Sequence, residues 1–243
     1  KNKLYISDAP FALPNSDTFS GMYNYVNGIQ KTGLLVAAGR SAFITICSVI
    51  VIVLLTSMAA WWITRVTCKL STVLYYLFVF AMIVPFQMVM FTLSKVTDFL
   101  HLGNMFGIIP VYLCFFFCLS LFMFCGFIKA IPISLEEAAM IDGCTPVQTY
   151  FKVIVPMLRP TMITVAILNA MWIWNDYLLP TLVLDSEKPT IPMAVQYLRG
   201  GYGSIDMGAM MAMLVLAILP IIVFYLTCQK YIIKGVAAGA VKG

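Results

Sequence analysis

Five long apolar runs constrain this sequence more than any other feature. They lie at about 41–63, 71–94, 105–128, 161–180 and 207–228. A helix needs roughly 20 apolar residues to cross a hydrocarbon core about 30 Å thick, so each run is predicted to be a transmembrane helix. The composition agrees, because 62% of the residues are hydrophobic and 10% are charged, whereas a soluble domain is about a quarter charged. The predicted fold class is an all-α, polytopic membrane helical bundle.

The loops between the runs indicate an orientation. Segments 64–70, 129–160 and 229–243 carry eight basic and three acidic side chains, and the alternate loops carry seven basic and six acidic ones. The basic side of a membrane protein is usually cytoplasmic. We therefore predict an external segment at 1–40, a transmembrane domain at 41–228 with a cytoplasmic loop at 129–160, and a cytoplasmic C-terminal tail at 229–243.

The sequence carries no motif for several kinds of binding site or catalytic site. The net charge of +5 includes no long basic run, so we expect no nucleic-acid partner. Cys114 and Cys118 have helical spacing but no nearby His or acidic residue, and His101 stands alone. We therefore predict no metal site, no disulfide and no catalytic residues. A G-x4-G-K-[ST] phosphate loop is absent, so we expect no ATP site or other cofactor in this chain.

The loop between the third and fourth runs carries dense local signals. Ser134 and Glu137 have capping-box spacing, which predicts the start of a short helix, and Gly143 is placed to end it. Thr145 then predicts a second helix, with Pro146 at its first position. Two short helices that meet at a tight corner indicate a loop that presents a surface.

The spacing of this loop resembles a known family motif. Glu137-Ala138-Ala139, then Gly143 and later Pro156, are similar to the E-A-A-x3-G-x9-I-x-L-P loop of ABC importer permeases, with Val153 and Val155 in place of Ile and Leu. The resemblance implies that the short helix docks on a cytoplasmic ATPase subunit. The residues that it implicates in coupling are Glu137, Ala138, Ala139, Asp142, Gly143 and Pro156. The alternative is an amphipathic surface loop whose glutamate only caps its own helix.

Two further stretches resemble the maltose-type carbohydrate branch of that family. Segment 174–180 is similar to W-N-E-Y-x-x-P, with Asp176 in place of Glu. Segment 235–243 resembles the G-x-T-A-G-A-V-K-G ending of that branch's second permease subunit, with Ala237 in place of Thr. The resemblance covers nearly the whole chain and implies one further helix before Lys1.

The function that the resemblance implies is transport. The chain is expected to be a non-enzymatic permease subunit of an ATP-driven, binding-protein-dependent carbohydrate importer in a bacterial plasma (inner) membrane. The implied partners are a second homologous permease, two ATPase subunits that bind ATP and Mg, an extracytoplasmic solute-binding protein and membrane lipid.

A polar and aromatic cluster near the end of the fourth run is a candidate solute path. Aromatic rings can stack on sugar faces, and amide or carboxylate groups can bond sugar hydroxyls. The candidate residues are Trp172, Trp174, Asn175, Asp176 and Tyr177. Asp176 is the one clear charge within a predicted span, where charges are costly and usually functional. The alternative is an interfacial aromatic belt in which Asp176 bonds a neighbouring helix, with the partner permease supplying most sugar contacts.

The second run contains Pro85 and Gln87. A proline can bend a membrane helix when neighbours satisfy the freed carbonyl, and Gln87 would then offer a polar group to a cavity. Ordinary helix packing explains the same residues equally well.

Two other function classes compete with an ATP-driven permease. A carrier driven by an ion gradient should show internal symmetry and ionisable residues in several spans, whereas Asp176 is nearly alone here. A non-transporting membrane scaffold would use the loop to bind a partner without ATP-coupled flux. Neighbouring genes for a second permease and a binding protein would disfavour both.

Overall fold

The chain is helical throughout the part that the structure describes. The computed structural model describes residues 6, 11–13, 15–196, 198 and 206–240, with side chains through residue 229. Its helices are α1 (Tyr23–Thr32), α2 (Leu34–Arg65), α3 (Lys69–Ala81), α4 (Phe86–Phe99), α5 (Ile108–Ile128), α6 (Ser134–Ile141), α7 (Pro146–Thr149), α8 (Val155–Asn175), α9 (Leu178–Val183), α10 (Ile191–Gln196) and α11 (Met207–Ala240). These residues include no strand, so the all-α prediction is confirmed.

Four helical segments within the described residues are long and apolar enough to cross a membrane. They are Leu34–Arg65, Ile108–Ile128, Pro146–Asn175 and Met207–Gln229. Helix α2 is central, because it packs along both α5 and α8, while α11 packs on α8 and α1. α2 already begins within the segment expected to be external, and α11 continues beyond residue 228 to Ala240. The last residues of the predicted tail, 241–243, lie outside the described residues.

The second apolar run forms a bent pair of helices. We expected 71–94 to be one span; α3 ends at Ala81, α4 begins at Phe86 and their axes differ by 105°, and the two helices together are long and apolar enough for one broken span. Pro85 precedes α4 with an extended ψ of 138°. Proline lacks an N–H and disfavours helical geometry in the preceding residue, which explains why the break falls here. Gln87 is exposed on α4.

Helix α1 packs closely on the beginning of α11. A Cβ atom added at Gly28 would lie 2.6 Å from the terminal methyl group of Met213, so glycine allows this close approach. Lys31 on α1 forms an ion pair with Asp206 at 2.7 Å. The Asp206 carboxylate also accepts a hydrogen bond from the Ala209 N–H in the first turn of α11. These contacts fix α1 against α11 at the end of the bundle opposite the 129–160 loop.

Candidate functional site

Helix α6 is the first short helix of the 129–160 loop. It begins at Ser134, with Ile133 as its N-cap and no side-chain cap. The predicted capping box of Ser134 with Glu137 is therefore wrong, because Ser134 already belongs to the helix. The corner after α6 follows the prediction: Gly143 has a φ of 86°, which a residue with a Cβ adopts only under strain. The Thr145 hydroxyl accepts from the Gln148 N–H, which confirms the second cap.

A buried ion pair anchors α6 to the end of α2. The Glu136 side chain is 3% exposed, and its Oε1 lies 2.7 Å from Nε of Arg65. Its other oxygen accepts a hydrogen bond from the Trp61 indole at 2.9 Å. Arg65 also donates to the Ile131 carbonyl at 2.8 Å. Both carboxylate oxygens are thus satisfied, as a buried charge requires, and the short helix is tied to a membrane-spanning one.

A second contact ties the segment after α6 to the same helix. The Tyr150 and Ser57 hydroxyls lie 2.7 Å apart in the buried core, and the Tyr150 ring lies 5.5 Å from the Trp61 ring. Tyr150 begins a π-helical turn, Tyr150–Ile154, that joins α7 to α8 without a break. The loop therefore contacts α2 from the side and continues directly into the α8 span.

The opposite face of α6 is open. Glu137, Ala138 and Asp142 are exposed, whereas Ala139 is buried. The same loop exposes apolar side chains, among them Ile141 at 85% exposure and Val147 at 63%. Pro156 is also exposed, but it is the second residue of the long helix α8. The candidate coupling residues therefore form an exposed acidic and apolar surface, which we call the docking face, except for Ala139, which packs inward, and Pro156 on α8.

The candidate solute-path residues do not converge on one cavity. Helix α8 ends at Asn175, and Asp176 lies between α8 and α9 rather than within a span. Its carboxylate accepts from the Tyr112 hydroxyl at 3.1 Å and from the Leu178 N–H at 3.0 Å. Such contacts are those expected of a carboxylate that bonds a neighbouring helix and caps the next one. Asn175 donates to the carbonyl of Met171, one turn earlier.

The two tryptophans and the tyrosine of the candidate path have different surroundings. The Trp174 indole donates to the Ala217 carbonyl on α11 at 3.3 Å. Its ring lines a cavity of about 380 Å³ between α2, α8 and α11, whose walls are almost wholly apolar. Trp172 is 67% exposed and Tyr177 is also exposed. Trp174 thus lines an apolar cavity, whereas the rings of Trp172 and Tyr177 face outward from this chain.

Comparison with known proteins identifies the family. Residues 49–238 match the family model described as binding-protein-dependent transport system inner membrane component. The chain belongs to this family. Two relatives match this chain over nearly its whole length. The chain is 38% identical to the probable starch degradation products transport system permease protein AmyC of Thermoanaerobacterium thermosulfurigenes, over 100% of this chain and 87% of that protein.

A second relative and a solved structure extend the comparison. The chain is 39% identical to the multiple sugar-binding transport system permease protein MsmG of Streptococcus mutans, over 96% of this chain and 84% of that protein. The fold is similar to a bacterial ABC transporter involved in the import of the acidic polysaccharide alginate, with a TM-score of 0.74 and 23% identity over 86% of this chain and 78% of that one. As a member of the inner membrane component family, the chain is a multi-pass permease subunit of an ABC importer.

The buried anchor of this permease is what the sequence reasoning missed. It singled out Glu137 and passed over Glu136, Arg65 and Trp61. A helical signal was available, because Glu136 lies three residues before Ala139, and both are buried on the same face of α6. No three His, Cys, Asp or Glu side chains are grouped to hold a metal ion in the part of the chain that the structure describes.

Proposed function

We propose that this chain is the second permease of a carbohydrate importer and that it couples to ATP through the docking face of α6. The observation that carries the proposal is the structure of α6 itself: an exposed acidic and apolar face on one side, and a buried ion pair to α2 on the other. A helix with this arrangement can bind a partner and transmit its movement to a span.

The partner on the docking face would be one of two cytoplasmic ATPase subunits, which bind ATP and Mg in place of this chain. Glu137 and Asp142 are exposed and unpaired with Lys or Arg among the described residues, so they are available to basic groups on a partner. Ile141 and Val147 would add apolar contact. The second ATPase would dock on an equivalent helix of a second, homologous permease. In this arrangement the 129–160 loop and the C-terminal tail are cytoplasmic.

Carbohydrate as the solute is supported by the relatives' names, which refer to starch degradation products and multiple sugars. An extracytoplasmic binding protein would deliver the solute at the end where α1 meets α11. Trp172 and Tyr177 would then line a path shared with the second permease, since both rings are exposed on this chain.

The docking claim is tested by purifying the complete transporter from its native cells in mild detergent. We expect wild type to bring down an ATPase and a second permease. Glu137→Lys should lose the ATPase and keep the permease, because it reverses an exposed charge on the docking face. Gly143→Pro should do the same, because proline cannot adopt the φ of 86° at the corner.

Two matched controls keep this result specific. Glu187→Lys makes the same charge change in an exposed loop at the other end of the bundle. Gly126→Ala adds a methyl group on α5, where no atom beyond the adjacent backbone of that helix lies within 4 Å. Both should retain the ATPase. If Glu137→Lys and Gly143→Pro also retain it fully, α6 is not the docking helix.

The solute path is tested separately by sugar uptake in reconstituted vesicles. Trp172→Ala should raise the KM for solute while ATPase association is unchanged, because the exposed ring contributes to a path rather than to this chain's core. Trp174→Ala should instead lower thermal stability, because its ring fills part of the contact with α11. An unchanged KM for Trp172→Ala would remove this residue from the path.

A further inference from the structure

A second site lies at the loop end of the bundle, away from the docking face. α2, α3 and α5 surround an open cavity of about 700 Å³ whose wall includes Lys69 and Lys129. No acidic side chain lines it. Neither lysine has an acidic side chain within ion-pair distance in the described part of the chain. We propose that this cavity binds the phosphate headgroup of an anionic membrane phospholipid.

Lys69 lies at the positive end of a helix. It is the first residue of α3, where the positive end of the helix dipole disfavours a cation. An anion held at this helix end would offset both the dipole and the ammonium charge. The Thr67 and Thr72 side chains line the same cavity and place hydroxyl groups beside the bound phosphate.

Lys129 lies over an aromatic ring in the cavity wall. Its ammonium group lies 5.3 Å from the centre of the Tyr75 ring, a cation–π distance that directs the charge along the cavity wall. Lys129 directly follows the last residue of α5, and Lys69 begins α3. The two cations therefore enter the cavity from different helices, and a single phosphate group can bridge them.

The surroundings of the cavity favour a lipid over a soluble anion. The cavity lies where α2 and α5 end and α3 begins, so in the proposed orientation it would face the cytoplasmic headgroup region. The outer face of α3 below it is apolar and exposed, with Val73, Leu77 and Phe80 all more than half accessible. Acyl chains can lie on that face while the headgroup occupies the cavity. Basic pockets between membrane helices on the cytoplasmic side are known to bind anionic headgroups.

The test is lipid retention by the full chain, purified with its co-purifying subunits and titrated with phospholipid under native mass spectrometry. Wild type should retain phosphatidylglycerol in preference to phosphatidylcholine. Each lysine should contribute about fivefold in affinity, the change that corresponds to about 1 kcal/mol per basic residue at an anionic membrane surface. Lys69→Gln with Lys129→Gln should therefore lose about 25-fold.

The controls separate this site from general surface charge. Lys152→Gln with Arg159→Gln removes two exposed charges at the same end of the bundle but outside the cavity, and it should leave retention nearly unchanged. Lys69→Arg with Lys129→Arg should retain the lipid. If the glutamine variant fails to assemble, the salt dependence of wild type tests the proposal instead. Its retention of phosphatidylglycerol should fall as added salt screens the charges.

Three results would overturn the proposal. Equal retention of phosphatidylglycerol and phosphatidylcholine by wild type would show that the headgroup charge is not recognised. Equal loss in the control pair would show a diffuse surface effect. Displacement of the lipid by inorganic phosphate at millimolar concentration would assign the cavity to a soluble anion.

Discussion

Two ion pairs, one at each end of the bundle, have the same length and very different surroundings. Arg65–Glu136 and Lys31–Asp206 each have an N–O distance of 2.7 Å. The side chains of the first pair are 16% and 3% exposed, and those of the second are 51% and 20% exposed. Removing one partner of a buried pair leaves an uncompensated charge, whereas an exposed pair is screened by water. We therefore expect the end of the bundle that carries α6 to be rigid. The end where α1 packs on α11 should open more easily.

The largest expected effect concerns the buried pair. Glu136→Ala should destabilise the protein by about 3–5 kcal/mol, because it leaves Arg65 charged and enclosed. Thermal unfolding in detergent measures this loss. Glu137→Ala, one position along on the exposed face, is the matched control and should leave the unfolding temperature nearly unchanged. Similar values for the two variants would mean that burial does not distinguish the two glutamates.

A smaller effect is expected from the same substitution at two buried tyrosines. Tyr150→Phe removes the contact with Ser57 near α6, and Tyr112→Phe removes the bond to the Asp176 carboxylate. We expect losses of about 1 kcal/mol and about 1.5–3 kcal/mol, because bonds to charged groups are stronger. ATP hydrolysis stimulated by the binding protein should fall only for Tyr150→Phe, since Tyr150, unlike Tyr112, contacts α2 from the segment that follows α6. The same fall in Tyr112→Phe would contradict that assignment.

The smallest effect concerns the exposed pair and its pH dependence. The hydrogen bond from Lys31 holds the pKa of the Asp206 carboxyl below its ordinary value of 3.8. The depressed pKa means that this contact stabilises the fold fully above pH 3.8 and loses its contribution as pH falls further. The protection of α1 amides, measured as exchange relative to the intrinsic amide rate at each pH, should therefore fall in acid for wild type. In Asp206→Asn, the α1 amides should already be less protected at neutral pH, by less than about 1 kcal/mol. Their protection should not fall further in acid.

The sequence predicted those structural features that depend on neighbouring residues or on the length of an apolar run. Apolar length predicted the membrane helices, and Gly143 with Thr145 predicted the corner after α6. The 105° break between α3 and α4 was not predicted as a full break, because a proline alone does not specify whether a span bends or ends.

The missed features depend on contacts between distant residues. Nothing near Glu136 in the sequence indicates that Arg65 and Trp61 lie beside it, because the ion pair forms only when α6 folds back onto α2. Asp176 looked like a charge within a span because the end of α8 is not marked by a glycine or proline. Its role at the start of α9 became clear only from the bonds that its carboxylate accepts from the Leu178 and Leu179 N–H groups.

The central claim is that Glu137 faces the partner while Glu136 transmits movement to α2. The direct test is transport per ATP hydrolysed, measured in proteoliposomes of the complete transporter carrying Glu136→Gln or Glu137→Gln, with assembly checked by co-purification. We predict that Glu137→Gln weakens ATPase association. Glu136→Gln should keep the ATPase bound and hydrolysing but move less solute for each ATP. Full transport per ATP in Glu136→Gln would contradict the account.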